Sequence, residues 1–332
     1  MQQVAVVGSG SWGTALAIQL SLSGQDVRLW GRDAGLVAEM ATRRANPVYL
    51  PDVTFPERLH PTADLAEALS GASIVVVAAP SHGVRAVARA MAPRLEPGAL
   101  VVSAVKGIEE STLLRMSQVL ADELRTASEV AVLSGPSFAL ELARCRPTAV
   151  VVASTSPQTV EHVQAEFRAP WLRLYGTADV VGVEIGGALK NTIAIAAGVV
   201  EGLGQGHNAL AALITRGLAE VTRLAVAMGG QRETLAGLAG LGDLVLTCTG
   251  GLSRNRHVGA ELARGRLLGE VVASTKMVAE GVRTTEAALA LGARHGVELP
   301  ITAQMADVLA GRQDPSSAIR ALMDRRQKAE HG

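Results

Sequence analysis

The stretch VAVVGSGSWGTALA, residues 4–17, decides the fold. A β-branched apolar run breaks into Gly8, Gly10 and Gly13, and an Ala/Leu-rich helical pattern follows at once. This is G-x-G-x-x-G set between a strand and a helix. The glycines permit a tight turn, close approach of backbone to a pyrophosphate, and close packing of helix on strand. The helix N-terminus adds N–H groups and the positive end of a dipole. Ser11 and Trp12 open that helix and join the glycines as cofactor-binding candidates. A bare glycine pattern is often only a turn. Here it is the first strand–turn–helix of an alternating chain, which favours a dinucleotide.

Outward from this loop, apolar runs alternate with helical patterns up to about residue 178. QVAVV (3–7), DVRLW (26–30), SIVVVAA (73–79), ALVVSAV (99–105), EVAVLSG (129–135) and TAVVVAS (148–154) read as strands buried on both faces of a parallel sheet. The expected fold is therefore α/β, a Rossmann-type doubly wound sheet. Beyond it β-rich runs nearly vanish. Helical patterns fill 180–203, 207–228, 231–239, 257–264, 283–295, 301–310 and 315–329, with Asp179 suited to cap the first. Residues 1–178 are expected to form the dinucleotide-binding domain, and 179–332 an all-helical substrate-binding domain.

Composition narrows the function. The 332 residues carry no formal net charge, so nothing favours nucleic acid or an anionic membrane, and any bound anion must meet a local positive site. Two cysteines, Cys145 and Cys248, imply no disulfide framework. No apolar run reaches the roughly 18 residues of a membrane span, and the N-terminus reads as a strand rather than a signal peptide. A soluble cytoplasmic protein is expected. The seven histidines show no metal-ligand spacing, and no metal is expected.

The second strand bears on the cofactor. NAD sites usually end this strand with an acid for the ribose 2′-OH, whereas an arginine there receives a 2′-phosphate. LWGRD puts Arg32 first, favouring NADPH; Asp33 beside it could still serve NADH, and Arg32 could be a solvated surface charge.

GGALKNTIAIAAGVV (186–200) sets Lys190 and Asn191 inside an apolar helix, although lysine is among the residues least often buried. SAVKGIE puts Lys106 just past a strand's carboxyl end, and SGPSFA (134–139) turns on the same rim. GLGDLVLTCTGGLSRNRHVG (240–259) joins Asp243 to Ser253, Arg254, Asn255 and Arg256, and VAEGVRTTE (278–286) carries Glu280. Singly, each reads as structural: a solvated lysine, a turn aspartate, a basic loop.

Together, in order and spacing, these segments with NPVYLPD and ELPIT resemble the NAD(P)-dependent glycerol-3-phosphate dehydrogenases of the bacterial type. The resemblance covers nearly the whole chain. Cys145 departs from it, standing where the family more often has glycine. The resemblance implies reduction of dihydroxyacetone phosphate to sn-glycerol 3-phosphate by NADPH or NADH, supplying glycerol phosphate for phospholipid synthesis, in a homodimer. It makes Lys190 the acid for reduction and base for oxidation. It assigns Lys106 to both substrate and cofactor, and Asp243 to orienting the lysine and bonding a substrate hydroxyl. Asn191 would hold the substrate, and Arg254 with Ser253 and Asn255 would grip its phosphate. Gly135 and Ser137 would lie by the substrate, with Tyr49, Ala139, Arg254, Val278 and Glu280 along the cofactor. Gly186, one turn before Lys190, would leave room for substrate or nicotinamide.

The chemistry suits these residues. Hydride delivery to a ketone leaves an alkoxide that needs a proton and prior electrostatic stabilisation. A desolvated lysine supplies both, because burial lowers its pKa towards neutrality. The plain alternative for Lys190 is a buried stem with its head in water. Two rival functions share the glycine loop: a dehydrogenase for β-hydroxyacids or keto acids, and a non-catalytic NADPH sensor.

Overall fold

Strands apolar on every side need two covering layers, and the computed structural model, which describes residues 2–125, 130–274, 279–327 and 329, supplies them. Its strands are β1 (Gln3–Val7), β2 (Asp26–Trp30), β3 (Ala45–Asn46), β4 (Leu50–Thr54), β5 (Leu59–Thr62), β6 (Ile74–Val77), β7 (Leu100–Ser103), β8 (Val130–Ser134), β9 (Thr148–Ala153) and β10 (Leu172–Thr177). Eight of them form one sheet in the order β10-β9-β8-β7-β6-β1-β2-β5, and β3 pairs with β4 in a separate ribbon. Successive residues of β1 serve opposite faces. Val4 and Val6 pack with Leu16 and Leu20 of the helix Ser11–Leu22, while Ala5 and Val7 pack with Val84 and Met91 of the helix Val84–Met91.

The chain steps outward from β1 to β2 and β5, then returns to β6 on the other side of β1. The order reverses between β1 and β6, the place where open α/β sheets bind ligands. Gly8 sits there, at the carboxyl end of β1.

Three features differ from the sequence reading. First, β8 and β9 pair antiparallel. With β10 parallel to β9, these two strands run against the other six. TAVVVAS is apolar because both faces are covered, which fixes composition and leaves direction open. Second, β5 and β10 join the sheet although LHPT and LRLYGT gave no strand signal. Each closes an edge, where proline and polar residues are tolerated. Third, the helix Val180–Gly202 is long and apolar enough to cross a membrane by length and composition, with mean hydropathy 1.4. Of that stretch 89% is buried inside the protein, so it is a core helix.

From Val180 onward the described chain is helical, and the 23-residue helix Val180–Gly202 runs through its middle. Asp179 caps it by accepting from the Gly182 amide at 2.8 Å, and its other oxygen accepts from the Gln231 amide. A second helix, Arg254–Ala263, crosses it at backbone contact. A Cβ on Gly198 would lie 1.9 Å from the Arg256 carbonyl oxygen, and one on Gly259 1.9 Å from that of Ile195. Cys145 has φ 55°, the left-handed region that favours glycine, which accounts for the residue type expected there.

The glycine interlock yields a test. Gly259→Ala forces two backbones apart, so it should destabilise the protein by about 3 kcal/mol, the upper range for overpacking. Urea denaturation should show this as a lower midpoint with an unchanged slope; an unshifted midpoint would refute the interlock.

Candidate functional site

The glycine loop fits a dinucleotide. Gly8 has φ 125°, and a Cβ on it would lie 2.7 Å from the backbone of Ala78. A Cβ on Gly13 would lie 1.9 Å from the Gly8 carbonyl oxygen, whereas one on Gly10 would meet nothing within 4 Å. Two glycines thus close the turn, and the third borders open space. The helix they open has no side-chain cap at Gly10, and the Trp12 indole N–H is buried without a partner among the described residues. Asn46, fully buried, donates to the Ser9 carbonyl and to Thr14 Oγ1, both at 2.8 Å. Its own carbonyl accepts from the Val48 and Tyr49 amides, which sets Tyr49 beside the loop. Sequence reasoning passed over Asn46; its place within the NPVYLPD segment was the available signal.

Past β2, Arg32 is exposed, with no hydrogen bond or ion pair among the described residues. Asp33 is already engaged, because its side chain caps the helix Ala34–Arg43 by accepting from the Leu36 amide at 3.1 Å.

On the rim beyond β7 and β8, one carboxylate gathers two ammoniums. Asp243 is 1% exposed and begins the helix Asp243–Thr249, where negative charge suits the dipole. Its Oδ2 accepts from Lys106 Nζ at 2.6 Å and its Oδ1 from Lys190 Nζ at 2.5 Å. Lys106 also donates to the Gly135 carbonyl at 3.1 Å, an oxygen that accepts from the Ser137 hydroxyl too. Lys190 also donates to Thr247 Oγ1 at 2.7 Å, and that hydroxyl donates to the Asp243 carbonyl. Thr247 was missed in the sequence, although it lies one turn after Asp243 on the same face.

Burial is the main cause that pushes Lys190 down to about 8; Asp243 opposes it and the Lys106 charge reinforces it. Cys248, one residue past Thr247, is pushed by burial up to about 12 and stays a thiol.

Two glycines admit this cluster. A Cβ on Gly186 would lie 2.7 Å from the Ala239 carbonyl oxygen, so the space kept open is filled by the π-helical turn Leu238–Gly242 that delivers Asp243. The expectation that Gly186 makes room for a ligand is corrected accordingly. Gly187 faces the rim instead, where a Cβ would lie 2.6 Å from Ser134 Oγ and 3.6 Å from Lys106 Cγ.

The remaining candidates spread from this centre. Asn191, buried on the turn of Lys190, accepts from Asn255 Nδ2 at 2.9 Å. Asn255 in turn accepts from the Gly281 amide at 3.0 Å. Ser253 caps the helix Arg254–Ala263 by accepting from the Arg256 amide. Arg254 is an exposed residue, yet desolvation by its surroundings lowers its guanidinium from the ordinary value, with Glu280 and Tyr49 opposing. Exposure to solvent and crowding of its surroundings both fit an arginine lying in a cleft, and it stays charged. Glu280 accepts from the Ser81 amide at 3.1 Å and from the Ser81 hydroxyl. Ala139 opens the short helix Ala139–Ala143. Val278 lies outside the described residues. No group of three or more metal-ligating side chains occurs among the described residues.

A dinucleotide loop at the switch point, with a buried lysine lowered towards neutrality in a cluster on the same rim, defines a nicotinamide-dependent dehydrogenase with a Rossmann sheet and a helical lobe. The profile of the NAD-dependent glycerol-3-phosphate dehydrogenase N-terminus matches residues 3–160, and that of the C-terminus residues 179–320. The chain belongs to this family. It is 52% identical to a glycerol-3-phosphate dehydrogenase [NAD(P)+] of Koribacter versatilis over 98% of both chains. With one of Geobacter sulfurreducens it shares 51% identity over 99% of both. The crystal structure of glycerol-3-phosphate dehydrogenase from Coxiella burnetii superposes with a TM-score of 0.94 at 40% identity, over 98% of this chain and 99% of that one.

Proposed function

We propose that this chain reduces dihydroxyacetone phosphate to sn-glycerol 3-phosphate, and catalyses the reverse, with Lys190 as acid and base and with NADPH preferred. The observation that carries the reading is the Lys106–Asp243–Lys190 cluster on the same rim as the dinucleotide loop. When bound there, the nicotinamide supplies the hydride. An ammonium has three N–H donors. Lys190 uses one on Asp243 and one on Thr247, which leaves the third for the substrate oxygen. Lys106 is in the same position, with one on Asp243 and one on Gly135. Two cations then stabilise the oxygen as negative charge develops, and Lys190 gives it the proton. Asn191, Asn255, Ser253 and Arg254 would take the phosphate end, and Gly135 and Ser137 the rim beside it. Gly8, Gly10, Ser11, Trp12, Gly13, Tyr49, Ala139 and Glu280 would hold the cofactor, with Lys106 and Arg254 serving both ligands. Arg32 would meet the 2′-phosphate, a role supported by its freedom from other partners and by the engagement of Asp33.

The wider reading extends from the family. The domains would meet at 178/179, the chain would act as a cytoplasmic homodimer without nucleic acid, and its product would feed phospholipid synthesis. A substrate panel tests the reaction: NADPH oxidation is expected with dihydroxyacetone phosphate, and activity with keto acids alone would overturn it.

Lys190→Ala should cut turnover by roughly 10²–10⁴ while cofactor binding survives; undiminished turnover would make the lysine structural. Ketone reduction needs the ammonium, so its rate should fall as pH rises through about 8, while alcohol oxidation needs the free amine and should rise over the same range. Arg254→Ala should raise KM for the phosphorylated substrate, and an effect confined to cofactor affinity would reassign it. Arg32→Ala should move the NADPH/NADH ratio of kcat/KM towards NADH; a constant ratio would contradict the 2′-phosphate role.

A further inference from the structure

Glu184 is a buried carboxylate that the reaction as described does not use. It lies on the helix Val180–Gly202, 5% exposed, less than two turns before Lys190. Its Oε1 accepts from the Ser117 amide at 2.8 Å, and its Oε2 from the Ser117 hydroxyl at 2.6 Å and from Arg115 Nη1. Both partners belong to the Rossmann half, at the start of the helix Met116–Glu123. An apolar contact would hold a helix to a sheet at lower cost than a buried ion pair. What an ion pair with three directed hydrogen bonds adds is register.

The register in question is that of Lys106. The segment leaving β7 carries Lys106, buries Ile108 in the core of the helical lobe, and returns to Arg115. Ile108 and Arg115 face each other in an antiparallel bridge, and the Glu109 amide donates to the Leu114 carbonyl at 3.0 Å. Glu109 is gripped by Arg85 through two bonds of 2.8 Å. The loop is therefore a closed unit, and the position of Arg115 is transmitted across the bridge to within two residues of Lys106. On the helix, Glu184 and Gly187 are one turn apart, and the Lys106 stem lies beside Gly187, where a Cβ would come within 3.6 Å of Lys106 Cγ. A ring results, running from Lys106 through Asp243 to Lys190, down the helix to Glu184, and back through Arg115 and Ile108.

We propose that Glu184, clipped by Arg115 and Ser117, is a positioning residue of the reaction, holding the Lys106 loop on the lysine helix and so setting the separation of the two ammoniums across Asp243. This rests on the reading of Lys190 as the acid. The charged and titratable groups around Lys190 are Asp243 and Cys248 from the helix Asp243–Thr249 and Lys106 from the loop. With the clip released, Lys106 withdraws and water enters. The two influences that lower Lys190 then weaken together, and its proton is held more tightly.

The test is steady-state kinetics of Glu184→Gln in both directions across pH, below its melting temperature. The expected result is a kcat lowered roughly 10- to 100-fold, the scale of an ångström-sized misplacement, with KM for NADPH unchanged. The rising limb of alcohol oxidation should move above its wild-type position. Ser117→Ala, which keeps the ion pair, should move both readouts less and in the same direction, and Arg115→Lys should lie closer to wild type than Glu184→Gln. A folded Glu184→Gln with a lower Tm but wild-type kcat and an unmoved limb would show the clip to be structural only. Should that variant not fold, wild-type kinetics in Ser117→Ala overturn the proposal by themselves. Undiminished turnover in Lys190→Ala would instead sink the acid assignment, so the two failures are distinguishable.

Discussion

One carboxylate held between two ammoniums is the constraint around which this site is built. Asp243 is almost fully buried, and alone in that position it would carry a heavy desolvation cost; so would Lys190. Each is tolerable because the other is there, and Lys106 completes the balance from the opposite side. The surplus of positive charge left over belongs to the site. It is poised where an oxygen acquires negative charge, and burial makes one of the two ammoniums ready to part with its proton.

Much of the surrounding architecture follows from bringing those three residues together. They come from a strand rim, a long helix and a short helix, and no two are close in sequence. The lysine helix must run beside the sheet, which its small residues permit. The turn that presents Asp243 must press against that helix, which the missing side chain at Gly186 permits. The loop of Lys106 must lie flat across the junction, and it does so by burying Ile108 among helical-lobe residues.

The sequence was most legible where a residue's type is forced by its immediate surroundings. The glycine loop, the doubly covered strands and the long helices of the second half are all local statements, and each was readable from spacing alone. Lys190 stood out because charge is costly in an apolar helix, whereas Lys106 and Asp243 stood out only through the set of motifs to which they belong. Features that depend on distant partners were hidden. The reversed direction of β9 leaves no mark on a strand that is apolar on both faces. Glu184 reads as an ordinary helix glutamate until Arg115 is found against it. Ser253 and Asp33 carry side chains equally suited to ligands and to helix caps, and only the fold shows that both are caps. Asn46, buried beneath the glycine loop, is a further case: NPVYLPD marks the segment, but only the fold shows that its side chain braces Ser9.

The reversal of β9 and β10 has a mechanical consequence. Because β10 runs against the central strands, the chain leaves it at the edge of the sheet away from the nucleotide loop. The lysine helix must then climb the whole depth of the sheet, meeting Val132 and Val151 through Val183 before reaching the rim at Gly187. From its anchor at Asp179 to Lys190 that ascent is about 16 Å at 1.5 Å per residue. The two halves of the molecule are thus joined by a stiff spoke rooted at the far side of the sheet, and the reactive amine rides partway along it. Any tilt of one half against the other is levered into the amine's position, so the fold converts rigidity at a remote edge into accuracy at the reacting oxygen.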